Sequence, residues 1–237
     1  MIGYDNKSVN HEILLDLPFL EGTGAITHDQ AKPHHKDIDL VLTPTWASLA
    51  SGLGVITTDG AANEYLELAG ANCVDLNFKS GDYSIGVWIN WDDGADDDQT
   101  VIGRYLDTNN GWELYLYDGG GADRTLTMRH HHLGGATTRT ASYSVNWTYD
   151  TWWLIGISRS GASAPHYRNG VPITTITSGG GLIDPEDCAA DLVIGIRETK
   201  DANRFCGSRW RPRIWNRALS ASEWKYIFEA ERHWFGV

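Results

Sequence analysis

The chain has 237 residues, a length that one all-β sandwich or barrel can fill and that can bury a core without staples. Its 19 Lys and Arg against 31 Asp and Glu give a formal net charge of −12, which repels phosphate backbones and anionic lipid. That argues against nucleic-acid and membrane-surface partners. An apolar fraction of 41% with 26 Gly, 11 Trp and 10 Tyr suits short strands joined by tight turns. Cys73, Cys188 and Cys206 form no CxxC pair, and read as reduced, buried residues or as one bridge plus a free thiol. The first residues carry no apolar signal-peptide core, and no run reaches membrane-spanning length. An extracellular role would therefore require a route without a classical signal peptide, release by lysis, or a virion; the cytoplasm is the other expected setting.

In chain order, strands are predicted at 13–19, 38–42, 55–57, 65–68 and 83–91. In the last of these, Tyr83, Ile85, Val87, Ile89 and Trp91 share one face, and Ser84, Gly86, Trp88 and Asn90 the other. Further strands are expected at 100–105, 112–117, 125–130, 139–145 and 152–159. Asn169-Gly170, between 166–168 and 171–176, supplies the two positive φ angles of a type I′ hairpin turn. Strands at 192–196 and 205–215 complete the set. Ser220-Ala221-Ser222-Glu223 is a capping box, followed by Trp224, Ile227 and Phe228 on one helical face. The pattern predicts an irregular leader at 1–12 and, over 13–237, a single all-β domain. Its expected architecture is a two-sheet antiparallel sandwich closed by one short C-terminal helix.

Several segments, in order, resemble laminin-G-like, concanavalin A-like domains. Asp82 to Ile89 is similar to that family's F-S-I-x-x-W-V strand, and Thr58-Asp59-Gly60 with Glu64-Tyr65-Leu66 to its F-D-G…Y-V segment. Gly111 to Leu116 resembles G-W-x-L-x-L, Thr151 to Arg159 resembles W-H-H-V-A-V-T-R, and Tyr167 to Val171 resembles Y-V-N-G-V. Phe205 to Ser220, ending Arg213-Ile214-Trp215-Asn216-Arg217-Ala218-Leu219-Ser220, resembles the closing F-x-G…V-R-I-W-N-R-A-L-S. The resemblance spans about residues 15–232 and implies a jelly roll. Such domains are most often non-catalytic glycan- or protein-binding modules, often with calcium, and also occur as surface and tail components of bacteriophage. One departure stands out. Trp210 and Arg211 occupy the place of the family's Asp-Asp, where an aspartate is commonly a calcium ligand.

Candidate sites follow from residue chemistry. Asp92, Asp93, Asp96, Asp97 and Asp98 crowd one loop, and hard oxygen ligands in a loop suit calcium; a solvated acidic turn is the alternative. Asp59 is the second metal candidate, against an Asx-turn. Glu113, Tyr115 and Tyr117 share one strand face beside Asp118, where tyrosines can stack on sugar rings and acids accept hydroxyl protons. Trp91 adjoins the acidic loop. Arg209, Arg211 and Arg213 alternate along the last strand, and either hold an anionic ligand or pair with local acids. His130-His131-His132 is read as histidines on an open sheet face.

No E-x-D-x-x-E, G-x-S-x-G, P-loop or H-E-x-x-H occurs, which argues against catalysis. The reading is a carbohydrate-binding or virion-decorating adhesion module, with calcium as a candidate cofactor and a glycan or surface protein as partner. The rivals are a glycoside hydrolase or polysaccharide lyase with an unfamiliar site, and a purely structural interaction module. The oligomeric state stays open.

Overall fold

The computed structural model describes residues 8–32, 35–92, 98–106, 110–118, 124–132, 137–142, 149–177 and 181–237. The first sheet runs β14 (Val171–Ile173), β13 (His166–Arg168), β12 (Trp152–Arg159), β7 (Tyr83–Trp91), β17 (Gly207–Trp215), β5 (Gly54–Thr58), β4 (Thr45–Ser48). β1 (Ile13–Asp16) also pairs with β17. The second sheet runs β15 (Thr175–Thr177), β11 (Thr137–Ser142), β10 (Arg124–His131), β9 (Asn110–Asp118), β8 (Gln99–Leu106), β16 (Leu192–Ile194), β6 (Tyr65–Leu68), β3 (Asp37–Val41), β2 (Ile26–His28). Every pairing is antiparallel, as the alternating patterns require, and the core lies between the two sheets.

Alternation decides the faces. Ile85, Val87 and Ile89 of β7 meet Trp112, Leu114 and Leu116 of β9 in one core. Ser84, Gly86 and Trp88 point outward, yet they too are buried, because α1 (Ala221–Glu231) lies across them. The capping box forms: the Ser220 hydroxyl accepts from the Glu223 amide, and the Glu223 carboxylate accepts from the Ser220 amide. Trp224 then drops onto Gly86 and Gly156, which face each other across β7 and β12. A Cβ on Gly156 would lie 2.3 Å from the indole, so two glycines form a slot that admits the ring. The Trp224 Nε1–H donates to Ser158 Oγ at 2.8 Å.

Four expectations are corrected. Part of the expected leader is ordered and packed: Ser8–Asn10 form one helical turn in which Val9 and Asn10 are buried, and the Val9 carbonyl accepts from Trp215 Nε1 at 2.8 Å. Two short strands, β2 and β4, were not foreseen, since three or four half-exposed residues carry no clear period. The 171–176 run is two strands, for β14 pairs with β13 in the first sheet and β15 with β11 in the second. Finally, the open-face reading of the histidines fails for His130 and His131, both buried. The hairpin turn is as expected, with φ of 51° at Asn169 and 74° at Gly170.

Candidate functional site

The outer face of the second sheet brings together part of the predicted ligand set. β9 and β10 pair Glu113 with Arg129, and Tyr115 with Thr127. Arg129 Nη1 lies 2.7 Å from the Glu113 carboxylate, and His131 Nε2 lies 3.3 Å from it. Arg129 stacks over the Tyr115 ring at 4.6 Å and donates to its hydroxyl. Tyr105 stacks on His131 with centroids 4.9 Å apart. Glu113 and Tyr115 are thereby both 1% exposed, and Tyr117, edge-on to Tyr115, keeps 39% of its surface in solvent. The expected open stacking face is an internal network with one exposed ring. Asp118 ends the strand opposite Arg124.

The remaining predicted residues scatter. Trp91 is buried against Tyr149 in the core. Asp59 accepts from the amides of Ala61 at 2.8 Å and Ala62 at 3.4 Å, an Asx-turn geometry that occupies Oδ1. Asp92 is exposed, with its amide on the Cys206 carbonyl at 2.9 Å. Asp98 is half-buried, while Asp93, Asp96 and Asp97 lie outside the described residues. Among the described residues no three His, Cys, Asp or Glu side chains converge to hold a cation, and most of the acidic loop lies outside them.

The arginine ladder divides at a β-bulge. Register against β7 shifts between Trp210 and Arg213, and Arg211 sits at φ 53°. Arg209 therefore points between the sheets, donating to the Ile194 carbonyl at 3.0 Å and to Thr58 Oγ1. Burial pushes its guanidinium down to about 9, opposed by the Glu64 charge. Gly195, at φ 98°, makes room: a Cβ there would lie 1.9 Å from Arg209 Nη1. Arg209 is thus a structural residue. Arg211 and Arg213 face the other way, toward α1.

There they build a site that sequence reasoning missed. Glu231 accepts from Arg211 Nη1 at 2.9 Å and from Trp88 Nε1, Arg213 Nη1 and Arg213 Nη2, each at 2.8 Å. Asp16 accepts from Arg211 Nε and Nη2 at 2.9 and 3.0 Å. The network floors a cleft of about 370 Å³ between the amino-terminal segment, β17 and α1. Tyr226 and Trp234 stand on its walls at 55% and 40% exposure. Trp234 is positioned by its neighbour: Phe235 stacks at 4.2 Å on Trp88 and lies tilted at 4.6 Å against Trp152, which pins the last turn. The signal in the sequence was Glu231. It falls seven residues after Trp224 on the apolar stripe, where a carboxylate needs a buried cation.

A two-sheet sandwich of this topology, with a helix over one sheet, is a lectin-like architecture. The family model described as the concanavalin A-like lectin/glucanases superfamily matches residues 59–223, and the chain belongs to that family. No curated protein sequence matches the chain significantly. Among solved structures, the botulinum neurotoxin serotype D binding domain is similar at TM-score 0.70 and 14% identity, covering 94% of this chain and 53% of that one. The serotype G binding domain is similar at 0.69 and 14%, covering 92% and 51%. The chain thus spans about half the length of these toxin domains. Domain 4 of AbnA, an extracellular arabinanase from Geobacillus stearothermophilus, in complex with arabinotriose, is similar at 0.67 and 15%, covering 91% and 98%. At such identities the likeness is one of fold.

Proposed function

We propose that this chain is a non-catalytic carbohydrate-binding module that grips a neutral sugar in the cleft between its amino-terminal segment, β17 and α1. The observation that carries the reading is the make-up of that cleft: exposed Tyr226 and Trp234 above a floor of balanced charge. Sugar rings present C–H faces that pack on aromatic rings, while their hydroxyls bond to polar neighbours. Asp16 and Glu231 already match Arg211 and Arg213, so an anionic ligand finds no surplus positive charge. Both carboxylates are held by guanidinium groups rather than set apart as an acid and a base across a scissile bond, which supports binding over cleavage.

The fold-level likeness to a structure holding arabinotriose and to toxin binding domains accords with this reading. A shallow site binds weakly, and display in many copies, as on a virion or another surface, restores strength by avidity. The test is titration of neutral and acidic methyl glycosides into labelled protein, following the Trp234 indole resonance, which the Trp234→Ala spectrum assigns. Saturable shifts with a neutral sugar at millimolar concentration, lost in Tyr226→Ala and kept in Tyr117→Ala, are expected. Preference for the acidic sugar, loss in Tyr117→Ala alone, or reducing ends released from a polysaccharide would each overturn the reading.

A further inference from the structure

The cleft does not end at Trp234. A second depression, of about 480 Å³, is lined by the same indole together with Trp152, His233, Phe235 and the turn Leu49–Ser51. Trp234 lines both hollows, so they adjoin at its side chain. Both also share one opposite bank. The turn joining β4 to β5 contributes Leu53 to the first hollow and Leu49, Ala50 and Ser51 to the second. That bank is fixed, because the Leu49 amide donates to the Leu53 carbonyl at 2.9 Å and the Gly52 amide to the Leu49 carbonyl at 2.8 Å. The bank that carries Trp234 is fixed as well, by Phe235 in its aromatic slot and by Arg232 Nη1 donating to the Val237 carbonyl at 3.1 Å.

We infer that the two hollows are successive subsites of one groove, which takes a neutral glycan chain of two or more units laid across Trp234. This inference rests on the carbohydrate-binding reading above and adds the ligand's form: a chain rather than a single ring. Three observations converge on it. Each hollow falls in the size range of small-molecule sites, so a single ring fills one and leaves the other empty. The residue common to both hollows is an exposed indole, with the His233 ring tilted against it at 4.7 Å, and a planar ring of this kind suits the apolar faces of consecutive sugars. The second hollow gains no charge from Leu49, Ala50, Ser51, Trp152, Phe235 or Gly236, and His233 is its one titratable group, so the neutral preference continues along the groove.

The experiment compares saccharides of one to four units from arabinan, xylan, β-glucan and galactan, titrated against the native protein, Ser51→Arg, Trp234→Ala and Tyr117→Ala. Ser51 is exposed on the far bank and touches only the second hollow, so arginine there obstructs it without entering the first. Thermal melts confirm that each variant is folded. For at least one series the affinity should rise about tenfold from one unit to three. Ser51→Arg should remove that gain, so that three units bind no more tightly than one, whereas Trp234→Ala should abolish binding at every length. Equal affinity at every length, or a gain that survives Ser51→Arg, overturns the two-subsite inference while single-unit binding at Trp234 still upholds the function. Absence of binding by every saccharide overturns the function itself.

Discussion

Glu231→Gln puts the buried charge network to a direct test. The substitution keeps the shape of the side chain and removes its charge. Four donors converge on this carboxylate within 2.9 Å: Trp88 Nε1, Arg211 Nη1 and both terminal nitrogens of Arg213. Arg213 is 2% exposed, so water cannot take over from the lost anion. An amide offers one oxygen to these donors and turns its own N–H groups toward a cation. Breaking a buried pair from one side typically costs about 3–5 kcal/mol, because the remaining charge is stranded. For a chain of this size that corresponds to a fall in Tm of roughly 6–20 °C. The assay is urea unfolding with a thermal melt on the same samples. The double variant Glu231→Met with Arg213→Met removes both charges, and Arg211 keeps Asp16. It should be more stable than Glu231→Met alone, and the cycle closed with Arg213→Met should give a coupling energy of about 1 kcal/mol or more. A loss below about 1 kcal/mol in Glu231→Gln, or strict additivity in the double variant, would refute the buried network as the anchor of the cleft floor.

Gly156→Ala places a methyl 2.3 Å from the Trp224 ring, so it should destabilise by about 1–3 kcal/mol in denaturant melts and weaken sugar binding by lifting α1; a neutral effect would contradict the slot. Burial holds the imidazoles of His130 and His166 at about 4, below the 6.5 of a free side chain. Between those values the unfolded chain binds more protons than the folded one, so stability should fall as pH drops through that window. His166→Phe should flatten the slope of unfolding free energy against pH, and an identical slope in the variant would count against it. Calcium titration by calorimetry should give no saturable heat from Asp59, whose Oδ1 is engaged by two amides. A heat that disappears in Asp59→Asn together with Asp92→Asn would place an ion at that rim.

Local chemistry made most of the fold legible. Period-two alternation in 83–91, the Asn169-Gly170 turn and the Ser220 capping box each depend on neighbours within a few residues, and each forms as expected. The short strands β2 and β4 escaped notice because three or four residues at a sheet edge are defined by the partner they pair with, not by their own pattern. The candidate site was read less well. Glu113-x-Tyr115-x-Tyr117 was placed on one outward face, and that placement is right. That Arg129 and His131 from the adjacent strand would close over Glu113 depends on register.

The arginine series shows the same division in one strand. Alternation puts Arg209, Arg211 and Arg213 on a common face, and a single bulge at Arg211 sends the first between the sheets and the others toward the helix. A bulge is set by pairing on both sides of β17, so no local pattern announces it. The amino-acid order alone determined two layers of strands, a capped helix and an acid misplaced on an apolar stripe. Which ring stays in water, and which four charges meet beneath it, was decided only by packing segments as distant as Asp16, Arg213 and Trp234, since long-range contacts carry no signature in the residues between them.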